Sequence, residues 1–204
     1  LSCKALVSGF NWYRGLKYTI YNPNPSELIA KLLNNIEISN CIVKGIVLNV
    51  DYEEISKLNN ILNEYKPDIV IGLGLHPRTS DPLIELSAVN LKRIQYDEEV
   101  IYERLFVDDK TVVHIPINYL ELYNYLRNRG YNVFLSNTLG LFLCNAVAYT
   151  YYRYGWEYGA KAVFLHIPPV GDLKIRLGLP IESRWSIRLL VELVRDIIGF
   201  LVNK

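Results

Sequence analysis

Residues 42–73 read IVKGIVLNVDYEEISKLNNILNEYKPDIVIGL. Residues 42–50 are a compact, largely β-branched run, the kind buried on both faces of a parallel sheet. From Asp51 the period changes. Glu54 follows as a capping-box partner, and Ile55, Leu58 and Leu62 recur at helical offsets. Pro67 disfavours helical backbone at the residue before it and ends the helix, after which residues 68–73 return to an apolar run. A short apolar run, a helical segment and a second apolar run in succession form the pattern of an α/β domain with a mostly parallel sheet.

The same alternation extends in both directions. Residues 4–9, 131–136 and 161–167 read as further strands, and residues 88–94 as another. Asn24-Pro25-Ser26-Glu27 announces a helix in which Asn24 caps, Pro25 fits the first helical position and Glu27 can complete a capping box. A helix at 118–129 ends at Gly130. The last helix has the clearest period, with Ile187, Leu190, Val191, Val194, Ile197, Ile198 and Leu201 on one face. Residues 96–110, rich in acids, read as a surface excursion. The expected architecture is an α/β/α sandwich, one domain over residues 1–204, with a mostly parallel twisted sheet flanked by helices.

Composition narrows the function. With 204 residues, 50% of them hydrophobic, the chain can bury one good-sized core. Its 22 Lys and Arg balance 21 Asp and Glu, so no nucleic acid or membrane partner is expected. An odd set of three cysteines, Cys3, Cys41 and Cys144, does not read as a disulfide framework, and all are expected to be reduced. The start LSCKALVSGF has no signal-peptide pattern and no stretch reaches the length of a membrane span, so the expected location is cytoplasmic.

Several signals are set aside. Gly72-Leu73-Gly74 lacks the third glycine and the helix of a dinucleotide fingerprint, and there is no phosphate-loop lysine. His76 and His114 are not spaced with other ligands, so neither a metal nor a cofactor is expected. The tyrosines at 149–158 read as packing or a subunit interface rather than a base-stacking platform.

Three segments can carry chemistry. Cys144 follows a predicted strand near a helix N-terminus, where unsatisfied N–H groups and the helix dipole favour a thiolate. It reads either as a nucleophile or as a small buried hydrophobe. His166 closes the run Ala162-Val163-Phe164-Leu165 and should emerge at the C-terminal edge of a strand, where parallel sheets gather their ligands. It is either a general base or a structural histidine bonded to backbone. Glu85, an acid inside Ile84-Glu85-Leu86-Ser87-Ala88-Val89-Asn90, needs a partner if buried. That partner can be a histidine, or the glutamate can be half-exposed on a strand.

The runs IELSAVN, GLFLCN and FLHIP, in this order and spacing, resemble those that carry the glutamate, cysteine and histidine of the pyroglutamyl peptidase family. Gly9-Phe10 followed by Asn24-Pro25-Ser26 is similar to that family's N-terminal loop and first helix, and Trp185-Ser186-Ile187 to the start of its last helix. The resemblance implies a cysteine peptidase that removes N-terminal pyroglutamate from peptides, with Cys144 as nucleophile, His166 as base and Glu85 as orienter. It also implies an aromatic pocket for the lactam at Phe10, Tyr13 and Phe142, and assembly as a homotetramer. Two departures fall around the substrate rather than in the triad. The family's GFEPFGG is here GFNWYRG, and position 95, where the family has an arginine, is Gln, leaving Arg93 as the candidate to assist the oxyanion or substrate. A thiol hydrolase acting on another small amide and a non-catalytic binding homologue are the alternative readings.

Overall fold

The strand expected at 4–9 is β1, Cys3–Phe10, in a computed structural model that describes residues 3–11, 23–96, 98–107, 109–170 and 184–204. β1 pairs in parallel with β3 (Cys41–Leu48) on one side and with β4 (Ile69–Leu75) on the other. β4 in turn pairs in parallel with β11 (Lys161–Ile167). Shorter strands complete the sheet. β2 (Glu37–Ile38) runs antiparallel to β3, β5 (Leu83–Glu85) antiparallel to β11, and β10 (Phe134–Ser136) parallel to β5. The order across the sheet is β10-β5-β11-β4-β1-β3-β2, with its parallel strands at the centre as expected.

Register decides which side chains face which layer, because neighbours in a ladder share a face and successive residues alternate. Ser8, Gly72 and Phe164 are aligned across β1, β4 and β11. Their face is covered by α4 (Leu143–Tyr158), whose Tyr151 hydroxyl donates to Ser8 Oγ at 2.7 Å. Gly72 must lack a side chain there, since a Cβ would lie 2.5 Å from the Phe164 ring that crosses it. Gly9 points to the opposite face, where a Cβ would come 2.0 Å from the Ser26 carbonyl oxygen of α1 (Pro25–Leu33). α5 (Ile187–Val202) packs beside α1, and α3 (Tyr119–Asn128) on α5, while α2 (Glu53–Tyr65) sits with α4. The sheet is therefore flanked by helices on both faces.

The cap expected at Asn24 is present, but neither expected capping box closes: α2 starts after Tyr52 without a side-chain cap, and Glu54 accepts from Asn49 and Lys57 instead. Asn24, Asn118 and Ser186 accept from the backbone N–H of Ser26, Glu121 and Leu189. Glu27, however, reaches forward to Lys31 one turn on. The strand expected at 88–94 is two strands outside the main sheet: β6 (Ser87–Val89) pairs with β9 (Val112–His114), and β7 (Lys92–Tyr96) with β8 (Glu99–Glu103). Asn90 makes the break. Its amide donates to the Phe106 carbonyl and its oxygen accepts from the Phe106 N–H, which draws the chain away between the two strands.

The cysteine expectation needs correction. Cys3 and Cys41 are direct partners in the β1–β3 register and are joined by a disulfide, leaving Cys144 as the free cysteine. Their separation of 38 residues hid the pairing, since only the strand register brings them together. Among the described residues no helix is long and apolar enough to cross a membrane, and no group of His, Cys, Asp and Glu could hold a metal ion.

Candidate active site

β4 and β11 end side by side at the C-terminal edge of the sheet, on the face that α4 covers. His166 is aligned with Gly74, so its imidazole emerges on that face beside a position without a side chain. β5 approaches β11 from the other direction, with Leu83 opposite His166 and Ile84 opposite Leu165. Glu85 is therefore one rung further along, diagonal to His166 on the same face, a distance that a long side chain can span.

It does so with both groups out of solvent. Glu85 Oε1 lies 2.7 Å from His166 Nδ1, with Glu85 0% and His166 4% exposed. Glu85 Oε2 has no hydrogen-bond partner among the described residues, so the histidine is what compensates this buried carboxylate. The structural alternatives for both residues are thereby set aside. The glutamate is not half-exposed, and the histidine's bond is to a side chain rather than to backbone.

Cys144 enters from α4. The helix begins at Leu143, with Phe142 as its N-cap, which puts Cys144 in the first turn, where N–H groups have no helical acceptor. Its sulfur and the same imidazole meet over Gly74, close enough for the sulfur to act on the ring's protonation. Gly74 leaves the room for this meeting, since a Cβ there would lie 2.7 Å from Cys144 Sγ and 3.3 Å from His166 Cδ2. Burial alone would push the His166 pKa down. The hydrogen bonds and charges of Cys144 and Glu85 outweigh it and raise the imidazole to about 9. Thiol, imidazole and carboxylate thus stand in the order of a nucleophile, its base and an orienting acid.

His76, expected to be a loop histidine, also reaches this place. Its ring lies edge-on to His166 with centroids 5.2 Å apart, and its Nδ1 accepts from the Arg78 N–H. Burial, then the neighbouring His166, hold its pKa below the ordinary value, so it stays neutral beside the charged pair.

The pyroglutamyl peptidase family model matches residues 3–183, a span that contains all three groups. The chain belongs to the pyroglutamyl peptidase family. It is 35% identical over 180 residues to the pyrrolidone-carboxylate peptidase of Pyrococcus furiosus, covering 83% of this chain and 82% of that one. With the enzyme of Thermococcus litoralis it shares 32% over 178 residues, 83% of this chain and 78% of the relative. The solved pyrrolidone carboxyl peptidase of Pyrococcus furiosus superposes with a TM-score of 0.85 at 30% identity, covering 98% of both chains. That of Thermococcus litoralis gives 0.86 at 27%, covering 98% of this chain and 94% of that one.

Around these three groups, this pyroglutamyl peptidase keeps some expected neighbours and adds others. Phe142 is 54% exposed, with the Arg93 guanidinium 5.0 Å over its ring, so Arg93 does reach the start of α4. Phe10 is buried at the end of β1, and Tyr13 lies outside the described residues. Two clamps were not foreseen. The Tyr52 hydroxyl lies 3.1 Å from the carbonyl oxygens of both Arg93 and Leu141, and the Arg93 N–H donates to Leu141, tying β7 to the segment before Cys144. Asn145, fully buried, accepts from the Val89 N–H and donates to the Val89 and Leu91 carbonyls. A lone amide next to the cysteine, followed by the apolar Ala146, Val147 and Ala148, was its sequence signal.

Proposed function

We propose that Cys144, His166 and Glu85 are the triad with which this pyroglutamyl peptidase removes N-terminal pyroglutamate from peptides. The observation that carries the assignment is the buried Glu85–His166 pair, 2.7 Å apart, with the Cys144 sulfur beside the same imidazole over Gly74. The Cys144 thiolate attacks the pyroglutamyl carbonyl carbon, and a C–S bond forms as the carbonyl oxygen takes the negative charge. His166 gives its proton to the departing peptide amine as the C–N bond breaks. It then takes a proton from water as the hydroxide adds to the thioester carbon; the C–S bond breaks, pyroglutamate leaves, and the thiolate and protonated imidazole are restored. Glu85 holds the imidazole in the tautomer and orientation these transfers need.

The remaining roles belong to the same proposal. The Cys144 N–H at the start of α4 donates to the oxyanion, with Arg93 assisting it or the substrate. Phe10, Tyr13 and Phe142 pack against the lactam ring. The reading also includes one domain over residues 1–204, a cytoplasmic location and assembly as a homotetramer. The half-exposed apolar side chains Val100, Ile101 and Tyr102 of β8 support the last of these.

The test is release of a fluorescent amine from a pyroglutamyl conjugate, beside Cys144→Ser and a prolyl conjugate. A pocket that hydrogen-bonds the lactam rejects proline, which lacks the ring carbonyl, because its polar groups are left unpaired. Activity restricted to the intact protein and the pyroglutamyl conjugate is the expected result. Equal cleavage of the prolyl conjugate overturns the pocket, and an active Cys144→Ser overturns the triad.

A further inference from the structure

The antiparallel ladder between β5 and β11 stops one rung short of the glutamate. Its register pairs Leu83 with His166 and Ile84 with Leu165, so the next rung would join Glu85 to Phe164. That rung is occupied by a side chain from another layer. The Phe164 N–H donates to the Tyr152 hydroxyl at 3.1 Å, and the hydroxyl donates to the Glu85 carbonyl at 2.5 Å. Tyr152 comes from α4, two turns beyond Cys144, and is fully buried.

We infer that Tyr152 is a positioning residue of the triad: its hydroxyl, inserted in the β5–β11 ladder at the Glu85 rung, sets the strand separation from which the Glu85 carboxylate meets His166. This deepens the triad reading and rests on it. A direct backbone rung would draw the two strands together at Glu85, whereas a hydroxyl between amide and carbonyl holds them one oxygen apart. The neighbouring rung is fixed by the ladder itself, so the spacing at Glu85 is set locally. Burial raises the phenol's pKa well above its ordinary value, which keeps the hydroxyl protonated and able to donate. One helix thus presents the nucleophile from its first turn and braces the orienting acid from its middle. The tyrosines at 149–158 had suggested only packing or an interface.

Deleting the hydroxyl separates this role from packing. In Tyr152→Phe the oxygen that holds the Phe164 N–H and the Glu85 carbonyl apart is gone, and two buried unpaired groups draw the strands together at Glu85. The expected result is a loss of about ten-fold in kcat/KM, and a displaced pH midpoint for alkylation of Cys144 by iodoacetamide, which needs no substrate. Tyr149→Phe is the matched control. It removes a hydroxyl that donates to the Lys110 carbonyl on the same helix, away from the triad, and should leave the midpoint in place with less than about a two-fold change in kcat/KM.

A double-mutant cycle closes the argument. If Tyr152 acts through Glu85, then Tyr152→Phe in a Glu85→Gln background costs less than about two-fold more. An unmoved midpoint in Tyr152→Phe, an equal shift in Tyr149→Phe, or full additivity with Glu85→Gln overturns the inference while leaving the triad standing. A Glu85→Gln protein that alkylates and turns over like its parent removes the triad reading and this inference with it. Should Tyr152→Phe not fold, 3-fluorotyrosine placed at position 152 retunes the hydroxyl as a donor; a displaced midpoint then supports the role, and an unmoved one overturns it.

Discussion

A methyl group on Gly74 would stand 2.7 Å from Cys144 Sγ, closer than real side-chain carbons approach a neighbour. The strand under the site is thus a wall against which the thiol is placed, and its glycine sets the depth. Gly74→Ala is expected to keep the fold and lower kcat/KM by about 10²-fold, the scale of an ångström-sized misplacement of a reacting group. Thermal unfolding beside steady-state kinetics checks it: a parental rate in the variant would show that the thiol has room to spare.

The raised imidazole gives the pH profile a direction. His166 is lifted from its ordinary 6.5 to about 9, with burial opposing and Cys144 and Glu85 prevailing. Above about 9 it loses the proton owed to the leaving amine, so kcat/KM should fall on an alkaline limb near that value. The sign for folding is the same. A group whose pKa is raised on folding contributes stability that is fully present below 6.5 and lost as pH rises through about 9. Urea unfolding across this range, in parent and His166→Ala, measures that contribution.

The disulfide between Cys3 and Cys41 closes a loop across a separation of 38 residues. Removing that constraint from the unfolded chain is expected to cost about 3–4 kcal/mol. Cys3→Ser, or the parent with a reductant, should unfold at a lower denaturant concentration, while the parent titrates as one free thiol per chain when unfolded without reductant.

Asn145, itself fully buried, satisfies three backbone groups at once. Asn145→Ala leaves the Val89 N–H and the Leu91 carbonyl without this partner, while the Val89 carbonyl keeps the Leu91 N–H, and it should cost about 2 kcal/mol in folding stability. Because those residues lead into β7, Arg93 loses its anchorage too, and KM should rise more than kcat falls. Chemical denaturation and the kcat and KM split read the two effects separately.

Much of the architecture was legible in residues 42–73 and their like. Compact β-branched runs, helical periodicity and the cap at Asn24 are local properties, and local energetics impose them wherever the chain goes. Residues 161–167 appear as a strand with those same bounds. The strand expected at 88–94 was misread because Asn90 finds its partner at Phe106, beyond any local window.

The sequence by itself determined the principal strands and helices, their order and the residue types able to do the chemistry, since these depend on neighbours a few positions apart. Tertiary structure alone decided what those residues meet. Glu85 and His166 are 81 positions apart and come within hydrogen-bond distance only because β5 runs antiparallel to β11. Cys3 reaches Cys41 only through strand register. Tyr152 enters the Glu85 rung only because α4 lies on that face. Burial, which sets the cost of every unpaired polar group, exists only once the layers close, and with it comes the imidazole's raised pKa.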